Sequence, residues 1–171
     1  MMHDIPVNAE TQINIFADDC CIWDSGLDIA GLNSNLQYSL ESISNWCNKW
    51  GFRISPTKSA VVVFTRRRKI PPIELTVGGR SLPIKKEYKY LGVILDSKLT
   101  YRSHCTYVSE KCQKRMNLLR LLCGTTWGAA KSSLLTIYRT MIRPVIEYGF
   151  EAYLFSSKYV LETIQKLQNT A

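Results

Sequence analysis

The sequence predicts an α+β chain: an antiparallel sheet with one packed amphipathic helix, followed by an all-α helical bundle. Three observations predict it. Short β-prone runs broken by glycine and proline occupy the first part of the chain, one long stretch with three-to-four-residue apolar spacing lies among them, and from Thr100 onward the periodicity is helical. The composition shift near Leu99 to His104 sets a domain boundary there, giving a first domain over 1–102 and a second over 103–171.

The first element is the stretch Ile13-Asn14-Ile15-Phe16-Ala17-Asp18-Asp19-Cys20-Cys21-Ile22-Trp23, with two adjacent carboxylates between two apolar arms. It reads as a hairpin carrying its charges at the turn. Strand alternation would send Asp18 and Asp19 to opposite faces, whereas a tight turn can aim both outward. Paired carboxylates are hard oxygen ligands suited to Mg²⁺, and phosphoryl transfer asks a protein mainly to hold such ions where charge develops. Taken alone, an Asp-Asp tetrapeptide is more often a solvated turn.

Ser25-Gly26-Leu27-Asp28 then offers capping residues, and Ile29, Leu32, Leu36, Leu40, Ile43, Trp46 and Trp50 mark one face of a long helix. Asn33, Asn35, Gln37, Glu41, Ser44, Asn48 and Lys49 mark its solvent face, and Gly51 can end it in the left-handed conformation. A short strand over Phe52-Arg53-Ile54 is expected next. Ser55-Pro56-Thr57-Lys58 breaks regular structure before a β-branched strand over Ala60 to Thr65, which holds Lys58 at a loop-strand junction. The run Arg66-Arg67-Arg68-Lys69 with Ile70-Pro71-Pro72 reads as a surface loop, because proline cannot donate ladder hydrogen bonds.

Ile73 to Val77 and Ser81 to Ile84 flank Gly78-Gly79-Arg80 as a hairpin, and Tyr88 to Leu95 reads as a further strand, with Gly92 inside it marking a bulge or the close approach of another backbone. In the helical part, Val108, Cys112, Leu119 and Leu122 form one stripe while Lys111, Lys114 and Arg115 lie on another face. A second helix over 132–142 turns Leu134, Leu135, Ile137, Tyr138, Met141 and Ile142 to a core, with Pro144 as its kink. A third, over 158–169, carries Leu161, Ile164 and Leu167 on one side.

Composition bounds the function. The chain has 171 residues, 46% of them hydrophobic and 21% charged, so it can bury a core. Its formal net charge of +8 favours polyanionic partners. No apolar run reaches the roughly 20 residues that span a bilayer, and the opening residues lack the pattern of a secretory signal. The six cysteines form no CxxC pair and no zinc spacing with His3 or His104, which reads as reduced, mostly buried thiols in an intracellular protein, nuclear or cytoplasmic.

Three ordered blocks carry a resemblance: Phe16-Ala17-Asp18-Asp19; Trp50-Gly51-Phe52-Arg53-Ile54-Ser55-Pro56-Thr57-Lys58; and Tyr88-Lys89-Tyr90-Leu91-Gly92-Val93-Ile94-Leu95-Asp96 through Tyr101. Together they resemble the reverse transcriptase of LINE-type (non-LTR) retrotransposons, with jockey-like elements as the nearest group. The resemblance implies the later part of a polymerase palm over 1–102 and a helical thumb over 103–171. It implies that Asp18 and Asp19 bind catalytic Mg²⁺, or Mn²⁺ in its place, with Phe16 near the primer terminus. Lys58 would then lie near the incoming triphosphate, able to neutralise or protonate departing pyrophosphate; a surface lysine after a turn is the competing reading. Tyr90, Leu91 and Gly92 match a primer grip, with a structural glycine as the alternative. Lys111, Lys114, Arg115 and Arg120 become phosphate contacts on the thumb, against the plainer reading of a solvated helix face.

The implied partners are an RNA template, a DNA primer and deoxynucleoside triphosphates, with no membrane. The resemblance departs in one respect. The family's third carboxylate, on an earlier strand, and its fingers are not among these residues, and Asp4-Ile5-Pro6 resembles the segment shortly before the catalytic hairpin. The expectation is therefore a fragment that does not polymerise alone, with a non-catalytic nucleic-acid-binding remnant of a mobile element as the alternative, and a domain whose charge serves solubility as a third reading.

Overall fold

A computed structural model of the chain describes residue 5 and residues 9–69, 71–124, 128–154 and 156–170. It is mixed α/β, with small antiparallel sheets and several helices, in two compact units, Met1–Lys86 and Glu87–Ala171. The opening Met1 to Asp4, Pro6 and Ile70, all used in the sequence reading, lie outside the described residues. No helix among the described residues is long and apolar enough to cross a membrane.

In the first unit, β1 (Gln12–Phe16) pairs antiparallel with β2 (Asp19–Trp23). The helix α1 (Ile29–Lys49) follows, and Asp28 caps it by accepting a hydrogen bond from the Ala30 N–H at 3.1 Å. Gly51 takes a φ of +76° just beyond its end, as its position predicts. The chain then folds back instead of entering a strand. The Phe52 N–H reaches the Cys47 carbonyl at 2.8 Å and the Phe52 ring stacks on Trp46 at 6.1 Å, so the strand expected over Phe52 to Ile54 does not form.

The expected strand over Ala60 to Thr65 is likewise reduced to one parallel bridge, Val61 to Ile84. The run Arg66 to Lys69 is a series of bends with no strand pairing. The glycine hairpin does form, as β3 (Thr76–Val77) and β4 (Arg80–Ser81), with Gly78 and Gly79 at φ +56° and +73°. Leu75, Val77 and Leu82 are its buried residues, covered by Leu36 and Leu40 of α1 and by Ile54, Val61 and Ile73.

Two residues counted to the solvent face of α1 do a different job. The Gln37 side-chain oxygen accepts from the Thr76 N–H at 2.9 Å while its NH₂ donates to the Thr76 carbonyl at 3.3 Å, and one turn earlier Asn33 accepts from the Glu74 N–H at 3.1 Å. A side-chain amide carries the donor and acceptor of a peptide group, so these two residues cover the free edge of β3 as a neighbouring strand would.

In the second unit, β5 (Glu87–Tyr90) pairs with β6 (Val93–Asp96). The single strand expected over Tyr88 to Leu95 is therefore a hairpin, turned by Leu91 and Gly92 at φ +45° and +83°. Each strand pair among the described residues stands as a separate two-stranded sheet, not as the one antiparallel sheet expected. Four helical segments follow: α2 (Arg102–Leu122), α3 (Lys131–Ile137) continuing through a π turn (Tyr138–Ile142) into α4 (Arg143–Glu147), the short α5 (Phe150–Tyr153) and α6 (Lys158–Thr170). Pro144 has no N–H to give to the preceding turn, and the helix widens into a π turn directly before Arg143 and Pro144.

The core of this unit joins Cys105, Val108, Cys112, Met116 and Leu119 of α2 to Ile142, Ile146, Tyr153, Val160, Ile164 and Leu167. Leu135 and Met141, expected inside, are exposed, while Ile142, at the end of the π turn, is the residue of this run that enters the core. Of the six free thiols only Cys105 and Cys112, on the core side of α2, are buried, and the rest are half-buried or exposed.

Asp96 ties β6 to α2. Its carboxylate accepts from the backbone N–H groups of Lys98 at 3.1 Å, Thr100 at 3.0 Å and Tyr101 at 2.7 Å, and from the Thr100 hydroxyl at 3.3 Å. These bonds hold Leu99 and Tyr101 at φ +51° and +57°, conformations that cost non-glycine residues energy. Partial burial pushes the Asp96 pKa up, but the four donors outweigh it and hold it below the ordinary carboxylate range.

Close by, His104 is 1% exposed and its Nδ1 accepts from the Ile94 N–H at 3.3 Å. Burial first, and the Lys89 charge second, hold its pKa below the usual imidazole value. Both folded pKa values are depressed, so both groups add stability that is present above their unfolded pKa and lost as pH falls. We expect melting of the second unit to weaken first below the ordinary histidine pKa and again below the ordinary aspartate pKa. In thermal scans across pH, Asp96→Asn should remove the lower step and leave the upper one.

Candidate active-site hairpin and basic helix

The register of β1 and β2 sets Phe16 opposite Asp19 and leaves Ala17 and Asp18 as a two-residue loop, with Ala17 at φ +52°. Cross-strand partners share a face, so Asp19 lies on the face of Phe16, Asn14 and Cys21, while Ile13, Ile15, Cys20 and Ile22 form the other. Asp18 is at the loop itself. Both carboxylates and the Phe16 ring are exposed, Phe16 by 65%.

Among the described residues no group of three or more His, Cys, Asp or Glu side chains could hold a metal ion. Asp18 and Asp19 fit Mg²⁺ as part of a donor set: their carboxylates are hard oxygen ligands, exposed side by side in sequence at the hairpin turn. Lys58 belongs to a separate element, the exposed turn at Pro56-Thr57-Lys58, where its N–H bonds the Ser55 carbonyl at 3.2 Å.

In the second unit, Tyr90, Leu91 and Gly92 come together at the tip of the β5–β6 hairpin. What approaches Gly92 is a side chain and not another backbone. The Tyr148 hydroxyl donates to the Leu91 carbonyl at 2.6 Å, and a Cβ built on Gly92 would lie 2.9 Å from the Tyr148 ring. Gly92→Ala should therefore cost about 1–3 kcal/mol, from left-handed strain plus displacement of that ring. Gly79→Ala, whose Cβ meets nothing within 4 Å, should cost only the strain. Equal losses for the two in chemical denaturation would contradict the Tyr148 contact.

The four cations on α2 divide. By the helical repeat, Tyr107, Lys111, Lys114 and Arg115 fall within an arc of about 100°, and Arg120 falls about 180° from Lys111. Lys111 and Lys114 are exposed, whereas Arg115 is half-buried and donates to the Met141 carbonyl in the π turn. Arg120 donates to Asn117 at 3.2 Å.

Sequence reasoning missed two residues on this face. Lys89 of β5 donates to the Tyr107 hydroxyl at 2.9 Å, with its Nζ 4.3 Å from the ring centroid, and Lys111 Nζ is 5.6 Å from the same centroid. Tyr107 and Lys111 share an i,i+4 spacing that could have paired them, but nothing in the sequence joins Lys89 to a residue 18 positions away.

A model of the reverse transcriptase (RNA-dependent DNA polymerase) family matches residues 1–95. The chain is 29% identical over 159 residues to the RNA-directed DNA polymerase from mobile element jockey of Drosophila melanogaster, and 30% identical over 159 residues to that of Drosophila funebris; each alignment covers 93% of this chain and 17% of the relative. It is 26% identical over 166 residues to the probable RNA-directed DNA polymerase from transposon X-element of Drosophila melanogaster, covering 97% of this chain and 18% of that protein. The chain thus spans about a sixth of the length of these relatives. No solved structure gives a significant match.

Proposed function

The chain belongs to the reverse transcriptase (RNA-dependent DNA polymerase) family, and on that premise we propose that it is the part of a non-LTR retrotransposon polymerase that carries the catalytic hairpin, the primer grip and the thumb. The observation that carries the reading is the Phe16-Ala17-Asp18-Asp19 turn, with both carboxylates exposed, Asp18 in the two-residue loop and Asp19 at the start of β2. Asp18 and Asp19 would hold divalent metal, Mg²⁺ or Mn²⁺, which would supply charge stabilisation to the attacking and leaving oxygens of nucleotidyl transfer. Phe16, on the Asp19 face, supports the primer terminus, and Lys58 serves the triphosphate. Tyr90, Leu91 and Gly92 position the primer strand, and the Lys111 and Lys114 face of α2 holds backbone phosphates of the template–primer duplex. Arg115 flanks that face, with one guanidinium nitrogen donating to the Met141 carbonyl and further N–H donors for a phosphate.

The 171 residues alone do not extend a primer. Two carboxylates would supply only part of the anionic ligand set that divalent metal needs in nucleotidyl transfer, and among the described residues no third candidate ligand stands with them. The test is a chimaera of the Drosophila melanogaster jockey polymerase in which this chain replaces the matching stretch. Extension of a DNA primer on an RNA template by the chimaera supports the reading, and a folded but inactive chimaera contradicts it.

Nucleic-acid binding without catalysis is the second reading, favoured by the net charge of +8. Both readings expect the isolated chain to bind an RNA·DNA hybrid with little sequence preference, and counterion release should make its affinity fall linearly on a log–log plot against salt. A flat plot in fluorescence titrations would count against both.

A further inference from the structure

We propose that Lys89, Tyr107 and Lys111 form a seat for one phosphate group, supplied by the backbone of a bound nucleic-acid strand where β5 meets α2. The inference rests on the nucleic-acid reading above and deepens it by assigning a contact site that includes two residues with no assigned role. Its basis is geometric. Two ammonium groups from different elements converge on one phenol, Lys89 at 2.9 Å from the hydroxyl and 4.3 Å from the ring centroid, Lys111 at 5.6 Å from that centroid.

The ring attracts each cation, by about 0.5–1 kcal/mol at an exposed site, but the two cations repel each other. Among the described residues, no carboxylate forms an ion pair with Lys89 or Lys111. The ion pairs of Arg143 with Glu147 and of Lys158 with Glu162 involve neither lysine, and Glu87, two residues along the same strand face as Lys89, makes none with it. Because Lys89 donates to the Tyr107 oxygen, the phenol keeps its own proton to give away. The cluster therefore offers only donors and two positive charges, the complement of a tetrahedral phosphate with its several acceptor oxygens.

Position favours a strand phosphate over a free one. Lys89 directly precedes the hairpin tip at Tyr90, Leu91 and Gly92, and Lys114 stands one turn along α2 from Lys111, so a phosphate seated here continues into contacts at both ends. The Lys89 hydrogen bond, with the charge of Lys111, already holds the Tyr107 pKa below the ordinary tyrosine value. An anion between the lysines should reverse that shift.

The test uses the whole chain with tyrosine ring carbons labelled, titrated with inorganic phosphate and separately with a short RNA·DNA hybrid. Circular dichroism verifies that Lys89→Gln, Lys111→Gln and the double variant remain folded. Both probes should move the Tyr107 signal, and inorganic phosphate should raise the pH at which it titrates. In hybrid binding, the slope of log affinity against log salt should become shallower by up to roughly 0.9, the value for one phosphate contact, and the double variant should lose no more than that. An unchanged slope in the double variant, or a loss twice as large, overturns the shared seat while hybrid binding by the unmodified chain keeps the nucleic-acid reading. A Tyr107 response to inorganic phosphate without hybrid binding overturns the strand as source, and with it that reading. No response to either probe overturns both.

Discussion

Asp18→Asn should abolish RNA-templated primer extension, by about 10³-fold or more, in the jockey chimaera that carries this chain. Asparagine keeps the size of the side chain and one oxygen acceptor but loses the charge, and a factor of 10³ corresponds to about 4 kcal/mol of transition-state stabilisation. A metal-bound carboxylate is worth that much because it positions a charge next to oxygens whose own charge is changing. Asp18 lies at an exposed loop position. Its replacement should therefore leave folding stability within about 0.5 kcal/mol, separating a chemical defect from a structural one. Asp19→Asn should act in the same direction. Extension that survives Asp18→Asn would remove the hairpin from catalysis, and extension by the isolated 171 residues, lost on Asp18→Asn, would mean that a complete active site lies within them.

Tyr153→Ala should be the most damaging change to the second unit, lowering its stability by about 3–5 kcal/mol, as for other buried aromatics cut back to alanine. Tyr153 is fully buried, its ring lies 5.3 Å from His104 and 5.5 Å from Phe150, and its hydroxyl donates to the Ile146 carbonyl. It thus joins the short α5 to α4 and α2 through both packing and a polar contact. Tyr153→Phe isolates the second contribution and should cost about 1 kcal/mol. In urea melts of the unit, losses of similar size for the two variants would show that the hydrogen bond, not the ring, dominates.

Sequence alone carried the elements whose signals are local. Asp28 and Gly51 mark the ends of α1, the Gly-Gly pair marks the β3–β4 turn, and the two aspartates mark the β1–β2 loop, because capping and left-handed turns depend on residues a few positions apart. What the sequence hid depends on distant partners. Phe52 to Ile54 has strand-like composition, but Trp46 offers the Phe52 ring a stacking surface on the helix. Gln37 and Asn33 look like solvent-facing residues until β3 lies beside them with an open edge. The same limit applied to the candidate sites. A paired Asp motif is visible as text, whereas Lys89 and Tyr107 meet only once β5 is laid against α2.

The standing of β1 and β2 as a ladder of two has a colloidal consequence. In an antiparallel pair closed by a two-residue loop, alternate residues turn their peptide groups away from the partner strand; here these are Ile13, Ile15, Cys20 and Ile22, and among the described residues no third strand pairs with either margin. Such margins recruit strands from other molecules, and the excess of positive charge is what keeps like molecules apart. Salt screens that repulsion over about 8 Å at physiological ionic strength and over less as it is raised. On the proposed nucleic-acid reading, the ionic conditions expected to release this chain from a hybrid are thus also those expected to let its hairpins find one another.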